Sequence, residues 1–173
     1  MTKTTLKEKL LGTGAVFALL FVSEVNAQTT QDITVQADVP SICFVDPTTD
    51  TQLTFDLSSL SVAAADFVDV ATFRWRCNSA TFDITISAGG SADQVNRAMT
   101  GPGGATLAYN LYTDATLGTI WGDGTAGTGV VQENGQDITT IGSTTITGRI
   151  LLGDAQVAAA GLYTDTVTVT LLP

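Results

Sequence analysis

Residues 33–43 read Ile33-Thr34-Val35-Gln36-Ala37-Asp38-Val39-Pro40-Ser41-Ile42-Cys43. Ile33, Val35, Ala37 and Val39 fall at every second position, with Thr34, Gln36 and Asp38 between them, which is the period of a β-strand with one apolar face. The same alternation returns in Phe82, Ile84 and Ile86, and again where Val167, Val169 and Leu171 interleave with Thr166, Thr168 and Thr170. Residues 53–57, 70–77, 105–112, 129–133 and 144–151 are further extended candidates. Turn-forming runs such as Gly101-Pro102-Gly103-Gly104 and Gly122-Asp123-Gly124 separate them. Eight or so short strands, with a single weak helical hint at 62–67, predict an all-β sandwich or barrel.

An alternating apolar face near a chain end needs a hydrophobic groove, because such ends are ordinarily polar and frayed. If the groove lies on the same domain, residues 33–39 are simply its first strand. If it lies on a neighbouring molecule, they form a donor strand that extends that molecule's sheet. Alternation alone leaves both readings open.

Composition restricts the chemistry. The chain has 173 residues with 7 Lys plus Arg, 17 Asp plus Glu and no His, for a net charge of -10. Without an imidazole there is no Ser-His-Asp triad, no Cys-His pair and no His-ligated metal. The acidic balance disfavours nucleic acid, since affinity for phosphate is built from Lys and Arg. No enzyme activity, cofactor or metal is expected. Asp114 with Asp123, or Asp66 with Asp69, read as surface acids rather than as a hydrolytic carboxylate pair, and Asp123 between two glycines reads as a turn. Trp75 and Trp121 are expected in the core, and Arg97 and Arg149 are expected to pair with nearby acids.

Residues 1–27 have the organisation of an export signal. Lys3, Lys7 and Lys9 precede an apolar stretch at 10–22, and Val25-Asn26-Ala27 places cleavage between Ala27 and Gln28. The mature chain then divides into an arm at 28–40 and a domain at 41–173. It keeps Arg74, Arg76, Arg97 and Arg149 and no Lys. Cys43 and Cys77 are an even pair in an exported segment and predict a disulfide. Closing a loop of about 35 residues would stabilise the fold by roughly 3 to 4 kcal/mol.

The order of motifs resembles the spore coat protein U domain family of archaic chaperone/usher pilus subunits. The resemblance runs from the arm and Cys43 through Leu53-Thr54-Phe55 and Phe73-Arg74-Trp75-Arg76-Cys77. It continues in Asn96-Arg97-Ala98-Met99, Leu107-Ala108-Tyr109-Asn110-Leu111-Tyr112-Thr113-Asp114 and Trp121-Gly122-Asp123-Gly124-Thr125. It closes with Gly148-Arg149-Ile150 and the segment from Gly161 to Val169. Two departures are Asp56, where relatives often have Gly, and a looser segment at 127–143.

This resemblance implies an incomplete immunoglobulin-like β-sandwich completed by an N-terminal donor strand, Ile33, Val35, Ala37 and Val39, from a neighbouring subunit. It implies a non-catalytic pilus subunit that supports attachment and biofilm formation. The implied partners are identical or related pilin subunits, a periplasmic chaperone and an outer-membrane usher. The mature chain would pass through the periplasm to a cell-surface fimbrium without inserting in the membrane. Two alternatives stand beside it: a secreted coat or ligand-binding module that completes its own fold, and an eight-stranded outer-membrane barrel. The barrel is disfavoured by an aromatic content of 7% and by the ending at Pro173.

Overall fold

Strand β2, Phe67–Cys77, organises the domain, and its burial alternates as the sequence does: Ala71, Phe73, Trp75 and Cys77 are buried while the residues between them are half-exposed. It pairs antiparallel with β8, Gly142–Ile150, in nine consecutive register positions from Phe67↔Ile150 to Trp75↔Gly142. β1, Cys43–Val45, lies on the far edge of β2, and β6, Asn110–Tyr112, on the far edge of β8, giving the order β1-β2-β8-β6. A second sheet has the order β7-β3-β9, from Val131–Glu133, Phe82–Ile86 and Val169–Leu172. β4, Ala98–Thr100, and β5, Thr106–Ala108, form a separate hairpin. The computed structural model describes residues 29–173. The expected signal at 1–27 and its cleavage at Ala27 and Gln28 lie outside the described residues.

The chain divides into a unit ending at Ala37 and a second unit, Asp38–Pro173, which contains every strand described. In the first unit, residues 29–37 carry no secondary structure, and Ile33 and Val35 are 83% and 90% exposed. In the second, the two larger sheets share one core. Phe73 and Trp75 of β2 meet Phe82, Ile84 and Ile86 of β3, with Leu107, Leu111, Trp121 and Ile150 among them. The Trp75 and Phe82 rings are 4.6 Å apart, edge to face, a favoured arrangement for their quadrupoles. The described strands form open sheets, not a closed barrel.

Buried polar groups are satisfied in this core. Trp121 Nε1 donates to the Ile84 carbonyl at 2.8 Å. Arg97 is fully buried, and the expectation of an acid partner is corrected. Its guanidinium donates to the carbonyls of Ser87, Gln94 and Trp121 and to Asn110 Oδ1. Arg can do this because it carries five donors in a fixed fork. Arg149 sits 4.0 Å from Asp66 and donates to the Tyr112 hydroxyl at 2.6 Å, with its guanidinium over the Tyr112 ring.

Several elements differ from expectation. Residues 105–112 are two strands in two sheets, β5 and β6, parted at Tyr109. Residues 62–67 are not helical, whereas Leu152–Val157 forms a short helix, α1. The α1 cap is distant in sequence: Leu152 N–H donates to Asp66 Oδ1 at 2.9 Å. Residues 53–57 keep the burial alternation of a strand without belonging to any ladder.

Much of the acidity sits in turns. Asp123 Oδ1 accepts from the N–H and hydroxyl of Thr125 at 2.9 and 2.6 Å, so the expected turn is present. Asp46, Asp114 and Asp137 accept in the same way from Thr48, Thr116 and Thr139. These bonds hold all four carboxyls below their ordinary value of 3.8, Asp137 at about 2. A depressed carboxyl contributes stability that is complete above the unfolded value and is lost as pH falls through the folded one. The domain should therefore hold constant stability down to pH near 4 and lose it between there and about 2, a window that circular dichroism against pH will locate.

Candidate functional site

An open groove of about 710 Å³ lies in the second unit. One wall is the extended segment 53–57, which turns Leu53, Phe55 and Leu57 inward. The other is the segment leading into β9, which contributes Tyr163, Val167 and Val169. Leu107, Leu111, Ile146 and Ile150 form the floor. Gly148 of β8 makes room for the first wall. A Cβ there would meet the Phe55 ring at 2.7 Å and a Leu53 methyl at 2.9 Å, closer than side-chain carbons pack.

Both walls hold unused backbone. Thr164 exchanges hydrogen bonds with Thr100 at 2.9 and 3.0 Å, and the Thr168 carbonyl accepts from Ser87 N–H at 2.9 Å. Peptide groups alternate sides along a strand. Those of Tyr163, Asp165 and Val167 accordingly face away from these partners, and among the described residues they make no backbone hydrogen bond. On the opposite wall the backbone of Leu53 and Phe55 is equally unpaired among the described residues, while the Leu57 carbonyl accepts only from Leu60 N–H. The groove thus combines an apolar floor with two rows of free donors and acceptors.

Two carboxylates border it, Asp50 and Asp165. Asp165 accepts from the Tyr109 hydroxyl at 2.7 Å, from Gly90 N–H at 2.8 Å and from its neighbour Thr166 N–H at 2.7 Å. The carboxylate is thereby tied to the loop at 89–91 and to the residue between β5 and β6. Burial, reinforced by the Asp165 carboxylate, pushes the Tyr109 phenol well above its ordinary range, so it remains a donor.

The structure distributes the expected site residues unevenly. Cys43 and Cys77 are joined in a disulfide, facing one another in the β1–β2 register with Cα atoms 4.1 Å apart. Ile33, Val35, Ala37 and Val39 are exposed and, among the described residues, in no ladder, Val39 at 76%. Trp75 and Trp121 are core residues. Tyr109 and Tyr163 both line the groove. Its two walls carry a legible signal, alternation at 53–57 and at 163–169, but alternation reveals buried faces and not missing neighbours. Among the described residues no three His, Cys, Asp or Glu side chains are placed to hold a metal ion, and no helix is long and apolar enough to cross a membrane.

An open β-sandwich with an apolar groove between two unpaired edges is the class of fold these observations define. The Spore Coat Protein U domain model matches residues 29–170, and the chain belongs to that family. A solved structure with a similar fold is the CsuC-CsuE chaperone-tip adhesion subunit pre-assembly complex from archaic chaperone-usher Csu pili of Acinetobacter baumannii. The TM-score is 0.54 at 20% identity, over 78% of this chain and 40% of that chain. The present chain therefore spans well under half the length of that relative. No curated protein sequence matches it.

Replacing Tyr109 by Phe removes one of three donors to Asp165 and leaves the packing intact. Urea unfolding should show a loss of about 1 kcal/mol, the net worth of a hydrogen bond, and up to about 3 kcal/mol for one accepted by a charge.

Proposed function

We propose that the chain is a non-catalytic structural subunit of a surface pilus, assembled by donor-strand exchange. The observation that carries this reading is the pairing of deficits within one sequence. The groove lacks a strand, with apolar floor and unpaired edges open together. The segment 33–39 has the pattern of a strand and no sheet, with Ile33, Val35 and Val39 exposed at strand period. A segment inserted between the walls would occupy free backbone groups on each side and cover the floor, which is β-augmentation. Left open, such an edge invites aggregation.

On this reading residues 1–27 direct export and are cleaved between Ala27 and Gln28. The arm 28–40 then donates its apolar face, Ile33, Val35, Ala37 and Val39, to the 41–173 domain of the next subunit. Until that happens a periplasmic chaperone occupies the groove, and an outer-membrane usher passes subunits to the surface, where the fibre supports attachment and biofilm formation. Family membership and the fold shared with a subunit held in a chaperone complex support these partners. A head-to-tail contact of this kind propagates without closing.

The test compares the mature chain with a form lacking residues 28–40. The complete chain should give fibres by electron microscopy. The truncated form should give none, and should remain soluble only with a chaperone or with added arm peptide. Equal, monomeric stability of the two forms would refute donor exchange and favour a module that completes itself. Ile33→Asp with Val35→Asp should abolish fibres while leaving chaperone binding intact, read by co-purification.

A further inference from the structure

The joint between arm and domain contains a clamp that donor exchange itself does not require. β1 begins at Cys43, directly opposite Cys77. One step outward, Ile42 and Asn78 exchange two hydrogen bonds, but only one is a backbone pair: Asn78 N–H donates to the Ile42 carbonyl at 3.1 Å. In the other, Ile42 N–H donates to the side-chain Oδ1 of Asn78 at 2.6 Å. The Asn78 Nδ2 then donates to the Pro40 carbonyl at 3.0 Å. The amide side chain acts as one more peptide group, its oxygen accepting from one residue of the arm's root and its nitrogen donating to another.

The covalent restraints point the same way. The Pro40 ring fixes its own φ, and a residue preceding proline, here Val39, is confined to extended backbone. The Cys43–Cys77 disulfide pins the next rung. From Val39 to Cys43 only Ser41 has neither a ring, a following proline, a cross-link nor an Asn78 bond.

We propose that Asn78 is a positioning residue that stiffens the joint between successive copies of this chain, restricting how far one subunit swings about the arm it has lodged in the next. The inference rests on the donor-arm reading. A short segment whose backbone is held transmits bending to its neighbours, whereas a free one acts as a flexible linker.

The experiment compares fibres of the full mature chain carrying wild-type Asn78, Asn78→Asp or Asn78→Ala, with persistence length measured by electron microscopy and subunit melting measured in parallel. Asn78→Ala loses both side-chain bonds, and its persistence length should fall by about twofold or more while the subunit stays folded and its melting temperature drops by only a few degrees, as expected for a freed linker. Asn78→Asp keeps an acceptor for Ile42 but no donor for Pro40, and should fall between the two. If Asn78→Ala fails to fold, Asn78→Asp against wild type decides. Fibres of wild-type stiffness from the folded variants overturn the inference and leave donor exchange standing. Absence of fibres from the wild-type chain overturns donor exchange, and the inference with it.

Discussion

A peptide group in a strand must find a partner on whichever side it faces, and two runs of peptide groups along the groove find none among the described residues. Water serves these groups while the groove stands open, and an occupant that excluded water without pairing them would cost about 1 to 3 kcal/mol for each. Apolar side chains alone could be covered by loops or by partial collapse of the walls. Two rows of donors and acceptors can be satisfied together only by water or by another extended backbone. The groove therefore specifies the geometry of its occupant more narrowly than its hydrophobicity does.

Holding the vacancy open needs a frame that does not close on itself. The polar interior supplies it. Arg97 links the carbonyls of Ser87, Gln94 and Trp121, three points on separate segments around the end of β3. Asp165 links the groove wall to Gly90 and Tyr109. Directional bonds of this kind resist the sliding by which an apolar core would shrink into empty space, and among the described residues no buried side-chain polar atom lacks a partner. Gly148 works to the same end from below, letting Leu53 and Phe55 lie against β8 instead of being pushed outward.

Strands whose partners lie in the same domain were legible in the sequence, because each buries one face and so displays period two. β2 and β3 are of this kind, and the disulfide was legible too, from two cysteines in an exported segment. What periodicity conceals is pairing. Residues 53–57 and 163–169 alternate as well as β3 does, yet neither wall has a neighbour on the groove side, since burial is read from side chains and hydrogen bonding is not. Tyr109 illustrates a second blind spot: one unbroken apolar run, 105–112, serves two sheets, and no local residue marks the change. Helix α1 is capped by Asp66, 86 positions away, which no window of sequence contains. Arg97 escaped because opposite charges are the obvious partners for a guanidinium, whereas carbonyls are far more numerous in a β core.

The arm's modest size bears on how a fibre built this way would last. Burying Ile33, Val35, Ala37 and Val39 could contribute roughly 4 to 8 kcal/mol before the arm's ordering cost is subtracted, at about 1.5 to 3 kcal/mol for each larger aliphatic side chain and less for Ala. That is comparable with a weak reversible complex, so hydrophobic contact by itself would let subunits leave. The ladder on both sides changes the kinetics more than the equilibrium. An inserted strand can leave only by breaking hydrogen bonds to two walls before water replaces them. Durability under donor exchange then comes from slow release, and the unpaired edges, more than the apolar floor, are the feature that such a fibre depends on.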